Sequence, residues 1–406
     1  MLRVLSVANY ATEDNVRVLS RNKTGYGYVV QDILAAMSKR YDVTFYSYSG
    51  NYAAFAFSGV RYLESRVVAT LVRSPKLDAT WSALKFIAET RSISREVLRV
   101  CYAYYARDYI KDYISRADII HVHGCSPNLY PVWEMAKNSD KGVVVTLHGL
   151  NSFSEHSKAS LMTKECEKRF LGDFVQSRNV QLTVLTDATK EILVKYCGPS
   201  VADKIHVIPN FLTDNFFLSN SKKVESNKCN ILYVGNISKQ KNQVALLQAV
   251  AEHRERIGDQ FKFVFCGKVC DTSVDIYKTT DVLEGIVEFH GHVPRANLDQ
   301  YYLRASLVVL LSKVEGFGMS VIEALAYGVP VLINSKMEIA SMLPDSDCVT
   351  LIDDVNNTKE IIDKLFQALG KNCERKEVKR CSLRFSEASV LQLYDDCFAL
   401  AIANRC

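Results

Sequence analysis

Along the chain, short apolar runs rich in β-forming residues alternate with stretches whose apolar residues return every three or four positions. The runs RVLSVAN (3–9), DVTFYSYS (42–49), DIIHVHG (118–124), VVVTLHG (143–149), QLTVLT (181–186) and KIHVIPN (204–210) predict strands. YVVQDILAAMSK (28–39) predicts a helix. Strands separated by helical stretches predict βαβ units and a parallel sheet. Over 211–228 (FLTDNFFLSNSKKVESNK) the periodicity lapses into a polar, basic stretch, which predicts a linker. A second alternation follows: NILYVG (230–235), a helix from about 242 to 256, FKFVFCG (261–267), IVEFHG (286–291), SLVVLLS (306–312) and VPVLIN (329–334). FSEASVLQLYDDCFALAIAN, from Phe385 on, predicts a final amphipathic helix. The expectation is an α/β chain of two doubly wound units: 1–210, a linker 211–228, 229–384, and a terminal helix 385–406. Ligands in such sheets bind beyond the carboxyl ends of the strands, here expected between the two domains.

Composition agrees with this layout and removes other classes. A chain of 406 residues is too long for one ordinary core and suits two domains. With 48% hydrophobic and 23% charged residues, it is neither disordered nor fibrous. No apolar run reaches the roughly 20 residues of a membrane-spanning helix. The start, MLRVLSVANYATEDN, reads as a strand rather than a signal peptide, which points to the cytosol. The twelve cysteines form no CxxC pair, and no second pair follows Cys266 and Cys270 at zinc-site spacing, so reduced thiols in the core are expected. Charge is uneven: residues 1–200 hold 26 Lys+Arg against 19 Asp+Glu, whereas 201–406 hold 24 against 26.

The densest chemistry lies in SLVVLLSKVEGFGMSVIEALAYGVPVLIN (306–334). A buried strand ends at Ser312, a loop carries Gly316 and Gly318, and a helix begins near Ser320. Glycines let the backbone approach a ligand closely, and a helix N-terminus offers free N–H groups to an anion. Glu315 and Glu323 flank this anion-friendly turn. Carboxylates there make sense as acceptors from the hydroxyls of a sugar or ribose. Ser320 and Glu323 also match a capping box, in which the glutamate merely completes the helix start.

EGFGMSVIE and the EALAYGVPV that continues from it resemble the E-x7-E motif of the retaining family 4 glycosyltransferases. The likeness extends over nearly the whole chain and is densest from about 204 to 334. It implies the GT-B architecture: two Rossmann-like domains facing a cleft, the donor held mostly by the C-terminal one, and a C-terminal helix returning to the first. It further implies transfer of a hexose-type sugar from a nucleotide diphosphate donor, UDP-sugar favoured and GDP-sugar possible, to a hydroxyl with retention. Polysaccharide or glycolipid assembly is the implied setting, with no metal and no cofactor. On the same basis Glu315 would hold hydroxyls of the donor sugar and Glu323 the ribose. The backbone of Phe317, Gly318 and Met319 would line the sugar and phosphate site, with Ser320 and Val293 as further donor contacts.

A second cluster, NILYVGNISKQKNQ (230–243), is a strand, a turn at Gly235 and then Lys239 and Lys241. In the family this turn carries a basic pair on the leaving diphosphate. Lys241 matches its lysine, while Asn236 stands where the family has arginine and is a neutral donor in place of a charged one. A solvated basic turn is the plain alternative, more so for Lys239. Gly25-Tyr-Gly27 occupies the place of the family's glycine-rich loop near diphosphate and acceptor, although a simple turn also needs such residues. His148 ends a strand at the edge where the resemblance puts a contact to the donor sugar, or it is a strand-end histidine with no ligand. Asn210 matches a Pro-Asn-Gly element with Phe211 in place of glycine. His121 and His123 share a strand face, but nothing at metal-site spacing accompanies them. Asp345-Ser-Asp347 reads as a solvated turn.

Residues 61–116 hold 11 Lys+Arg against 6 Asp+Glu together with Trp81, Leu84, Phe86, Ile87 and the cluster Tyr102, Tyr104, Tyr105, Tyr109 and Tyr113. This stretch suits an anionic membrane surface or a lipid-diphosphate acceptor, with peripheral contact at the inner membrane face. An ordinary helical pair with one core side accounts for it too. No nucleic-acid-binding module is present in the sequence. Two rivals to the transferase stay open: a sugar-nucleotide epimerase of the same architecture and a non-catalytic nucleotide-sugar binding protein. Asn236 is the residue that speaks for the latter.

Overall fold

The structure is a computed structural model that describes every residue except 22, 74–75, 91–93, 154–156, 158, 215, 217–223, 225, 271–282, 314 and 405–406, and the backbone alone of 76 and 90. Much of the 211–228 linker therefore lies outside the described residues, as do short parts of 61–116. The chain divides into two compact units, Met1–Pro209 with Val390–Cys406, and Asn210–Ser389.

The first unit contains, in order, β1 (Arg3–Ala8), α1 (Gly25–Met37), β2 (Asp42–Ser47), β3 (Phe55–Phe57) and β4 (Val60–Tyr62). Four helices follow: α2 (Val67–Arg73), α3 (Lys76–Thr90), α4 (Arg95–Tyr109) and α5 (Lys111–Arg116). Then come β5 (Ile119–His123), α6 (Tyr130–Lys137), β6 (Gly142–Leu147), α7 (Leu161–Gln176), β7 (Val180–Val184), α8 (Asp187–Cys197) and β8 (Ile205–Val207). The eight strands lie in the order β3-β4-β2-β1-β5-β6-β7-β8. All pairs are parallel except β3 with β4. Every residue of β5, β6 and β7 is buried, as expected for a parallel sheet covered on both faces. The β3–β4 hairpin was not predicted; it turns on Ser58 and Gly59, both at positive φ, and its strands are too short to show a period.

The second unit contains β9 (Cys229–Val234), α9 (Gln243–Glu252), α10 (Arg254–Ile257), β10 (Phe261–Cys266), β11 (Val287–Gly291), α11 (Asp299–Arg304), β12 (Leu307–Leu310), α12 (Met319–Ala326), β13 (Val331–Asn334), β14 (Val349–Ile352), α13 (Thr358–Gly370) and α14 (Arg375–Arg380). Its six strands are parallel in the order β11-β10-β9-β12-β13-β14. The helix predicted from 242 to 256 is broken at His253 into α9 and α10. The final helix, α15, runs Glu387–Ala403, and from Val390 on it counts with the first unit, as expected. There Ala401 lies against Gly142, and Tyr394 and Phe398 pack on His121. Each sheet reverses its strand order once, at β1/β5 in the first unit and at β9/β12 in the second. A crevice opens at the carboxyl ends of the strands at such a reversal.

Candidate functional site

In the second unit the reversal brings two loops together. Because β9 and β12 are parallel neighbours, Leu307 opposite Ile231 and Val308 opposite Leu232, the loops after both emerge at the same edge. The amide of Lys313 donates to the carbonyl of Gln240 at 2.8 Å, tying one loop to the other. The ammonium of Lys241 then pairs with the Glu315 carboxylate, which also accepts from the Ser312 hydroxyl at 3.2 Å. Tyr233, buried in β9, braces the arrangement: its hydroxyl donates to the Lys241 carbonyl and accepts from the Leu311 amide. Gln243 holds the carbonyl of Asn236 at 3.1 Å and accepts from the Ser238 amide at 3.2 Å, while Asn236 and Lys239 are exposed. The three residues the sequence singled out here, Lys241, Glu315 and Asn236, thus stand on two adjoining loops. Tyr233, Gln243 and Ser312 were missed, because in sequence they read only as strand or helix positions.

Beyond Glu315 the chain turns at Gly318, whose φ of 91° is open to glycine and strained for other residues. Gly318 is the N-cap of α12, and no side chain caps the helix. The capping box read from Ser320 and Glu323 is therefore not formed: α12 starts at Met319, which puts Glu323 a full turn inside it. Glu323 instead accepts from the buried Tyr302 hydroxyl at 2.7 Å, and Arg295 Nε lies 3.8 Å from its other oxygen. Burial and the adjacent carboxylate hold the Tyr302 phenol well above its ordinary pKa, so it stays a donor. The guanidinium of Arg295 in turn lies over the Phe216 ring at 5.4 Å. Phe317 turns its side chain into the core against Phe385. Val293 lies on the loop after β11, half-buried, with Arg295 two residues on. The Val321 amide donates to the Gly318 carbonyl at 2.9 Å, and the first turn of α12 carries the positive end of its dipole.

The first unit's reversal has the opposite electrostatic character. His121 and His123 alternate with Val122 on β5 and so share one face; β6 adds Thr146 and leads to His148. His121 Nε2 bonds to Thr146 Oγ1 at 2.8 Å, and His123 bonds to Ser6 Oγ at 2.9 Å and to His148 Nε2 at 3.3 Å. Burial pushes His121 down to about 3 and His148 to about 4, and holds His123 well below its ordinary value, so all three are neutral near pH 7. The Nδ1 atoms of His121 and His148 are buried without a hydrogen-bond partner. Tyr26 meets His148 edge-on at 5.1 Å and donates to the His123 carbonyl at 2.9 Å. Tyr26 lies between Gly25 and Gly27 at the start of α1, which Thr24 caps through the Gly27 amide at 3.3 Å. A Cβ on Gly27 would fall 2.0 Å from Thr12 Oγ1, whereas one on Gly25 meets nothing within 4 Å. Only Gly27 is there for close approach. Glu167 on α7, fully buried, was also missed; it accepts from the amides of Asn151 at 3.0 Å and Ser152 at 2.8 Å and so fixes the loop after His148. Gly25, Gly27 and His148 belong to this unit, and the remaining candidate residues to the other.

The family model for glycosyl transferases group 1 matches residues 214–382, and that for glycosyltransferase family 4 matches residues 24–215. The chain belongs to the family 4 glycosyltransferases. Among curated relatives, an uncharacterized 41.2 kDa protein in the cps region of Klebsiella pneumoniae is 30% identical over 146 residues, 36% of this chain and 38% of that one. The O-antigen chain mannosyltransferase B of Escherichia coli is 25% identical over 281 residues, 66% of this chain and 68% of the relative. The match thus spans well under half the length of the Klebsiella protein. Among solved structures, sucrose-phosphate synthase from Thermosynechococcus elongatus superposes with a TM-score of 0.68 at 19% identity, covering 98% of this chain and 100% of that one. At that identity the likeness speaks for the fold, which is GT-B. Within this family-4 chain, Asn236 remains a neutral residue on the exposed lip of the loop that carries Lys241.

Proposed function

We propose that the protein transfers a sugar from a nucleotide diphosphate sugar, UDP-sugar first and GDP-sugar second, to an acceptor hydroxyl with retention. The observation that carries this reading is the Lys241–Glu315 pair at the strand reversal, beside the N-terminus of α12. The anomeric carbon loses its bond to the diphosphate oxygen and gains one to the acceptor oxygen on the same face. The acceptor proton passes to the departing phosphate. Negative charge grows on that phosphate, and Lys241 and the first amides of α12 stabilise it without reorganising. In the ligand-free site Lys241 and Glu315 neutralise each other. An incoming donor splits the pair: its phosphate takes the ammonium while its sugar hydroxyls donate to the carboxylate. Glu323, already ordered by Tyr302 and Arg295, accepts from the ribose hydroxyls. Asn236 adds a neutral donor at the loop lip, and the first unit takes the acceptor, a lipid-linked or oligosaccharide hydroxyl. The name of the Escherichia coli relative supports polysaccharide or glycolipid assembly as the setting. In this reading no metal or cofactor takes part, and a chelator leaves turnover unchanged.

The test incubates the full chain with a panel of UDP- and GDP-sugars, with and without soluble and lipid-linked acceptors. Release of nucleoside diphosphate that depends on the acceptor, with a product of unchanged anomeric configuration by NMR, is the expected result. A changed nucleotide-sugar without any acceptor would assign an epimerase. Thermal stabilisation by a donor with no turnover would assign a binding protein.

A further inference from the structure

Two of the first unit's three histidines are joined to a serine in one line of hydrogen bonds. Ser6 Oγ lies 2.9 Å from His123 Nε2, and His123 Nδ1 lies 3.3 Å from His148 Nε2. β1 and β5 are parallel neighbours with Ser6 opposite His121, so Ser6 projects on the face that His121 and His123 share. His121 stays outside the line, because its Nε2 bonds to Thr146 Oγ1 at 2.8 Å. Tyr26 meets His148 edge-on at 5.1 Å, and the His123 ring stacks on it at 5.6 Å, so the His148 ring is held in one plane. The line ends at His148 Nδ1, which is buried and has no hydrogen-bond partner among the described residues.

Such a line can run in two directions, and they differ in what they leave unpaired. His123 and His148 are both neutral near pH 7, so each carries a single N–H. When Ser6 donates to His123 Nε2, the His123 proton sits on Nδ1 and is donated to His148 Nε2. The His148 proton must then sit on its own Nδ1. One group is left over, the His148 N–H. In the reverse direction His148 donates to His123, and His123 donates to Ser6. The Ser6 hydroxyl proton then has no acceptor among the described residues, and the lone pair of His148 Nδ1 is unused as well. A buried polar proton without an acceptor is costly. The reverse direction strands that proton on Ser6, fully buried in the middle of the sheet, where no ligand reaches. The forward direction strands its one proton on His148, half-buried at the carboxyl end of β6. The two nitrogens of an imidazole point away from each other, so the bond to His123 turns Nδ1 away from that neighbour.

We propose that Ser6 and His123 are positioning residues that hold His148 in its Nδ1–H tautomer, and that His148 thereby serves as a hydrogen-bond donor to a hydroxyl oxygen of the substrate, not as a base. The inference rests on the transferase reading, in which the acceptor proton leaves with the phosphate and no protein base is called for. It adds which atom of the first unit faces the sugar chemistry and in which protonation state.

The nitrogen spectrum of the full chain with labelled histidine shows which ring atom carries each proton, without any turnover. The His148 signals are those that vanish in His148→Gln. Near pH 7 its Nδ1 should appear protonated and its Nε2 unprotonated. Ser6→Ala removes the first donor, leaves the two directions equally unpaired, and should turn His148 into a mixture of tautomers. His123→Asn, whose amide nitrogen stands where the ring Nδ1 does, should keep His148 protonated on Nδ1. A parent His148 protonated on Nε2, or a tautomer that Ser6→Ala leaves unchanged, would overturn the proposal. In turnover Ser6→Ala should lower kcat/KM by about 3–10-fold, and thermal unfolding checks that the variant is folded. Mixed tautomers with kcat/KM unchanged would remove the donor role of His148. A parent chain that transfers no sugar would overturn the transferase reading and the donor role with it, while the tautomer would still be decided by the spectrum.

Discussion

The two strand-order reversals have the same topology and opposite chemistry. At β1/β5 the strand ends present three neutral histidines, two buried and one half-buried, linked to hydroxyls and to one another. At β9/β12 they present a partly exposed ammonium and carboxylate that neutralise each other. A parallel sheet makes a crevice at such a point whatever the side chains are. What the crevice can do is set by how dry the strand ends are. In the first unit His121 and His123 lie inside the sheet, His148 follows one residue beyond it, and burial keeps all three uncharged. In the second, the charges stand on loops one step beyond the sheet, where water still reaches them.

Acid should separate the two crevices first. The native state keeps the three histidines neutral, while the unfolded chain protonates them below about pH 6.5. Their contribution to stability is therefore complete above about 6.5 and is lost as pH falls toward about 4 and 3, the values of His148 and His121. Each adds a slope of about 1.4 kcal/mol per pH unit across its window. Both tryptophans lie in the first unit, so denaturant unfolding followed by their emission should show this steep decline. His148→Gln should flatten it by one histidine's share. A flat profile from pH 7 to 4.5 would break the contrast.

The next effect belongs to the charged crevice. Lys241→Ala or Glu315→Ala should lower acceptor-dependent turnover by about 10²–10³-fold, with thermal unfolding close to that of the parent protein because the pair is partly exposed. Near-normal turnover in both variants would remove the pair from the chemistry. Smaller is Tyr302→Phe, which takes a donor from the buried Glu323 carboxylate. It should cost about 1–3 kcal/mol in urea unfolding and raise KM for the nucleotide-sugar more than it lowers kcat. If Glu323 only packs, stability falls and KM stays.

The smallest effect comes from the glycine pair at the start of α1. Gly27→Ala should destabilise by about 1–2 kcal/mol because its Cβ meets Thr12. Gly25→Ala, two residues away, should stay within about 0.5 kcal/mol of the parent, since nothing lies in its path. Equal costs in calorimetry would mean that the loop relaxes around both.

Much of this was legible in the linear pattern because it is local. The strands of both sheets, apart from β3, β4 and β14, show as apolar runs of the right length. Lys241 and Glu315 show because each follows a strand directly, and such loops gather at one sheet edge. Glu323 was legible as a residue but not in its partners. Its neighbour in sequence, Ser320, suggested a cap, whereas the partner that holds it, Tyr302, comes from α11, with β12 between them. Once Gly318 starts the helix two residues before Ser320, the cap geometry is unavailable and the carboxylate turns to Tyr302. The basic, aromatic stretch 61–116 was visible too, but periodicity alone could not tell that α4 would cover Ala83 and Phe86 of α3 and leave Leu77, Trp81 and Leu84 exposed.

By itself, then, the sequence determined the alternation that builds two parallel sheets, and the loops that carry Lys241 and Glu315, since both depend on spacing along the chain. Only the tertiary structure decided three further things. It made His121, His123 and His148 a neutral group, because burial between strands and helices is a property of packing. It gave Glu323 the hydroxyl of Tyr302, because that contact spans 21 residues and two elements. And it left Leu77, Trp81 and Leu84 in solvent, because a helix with two apolar faces can bury only the one its neighbour reaches.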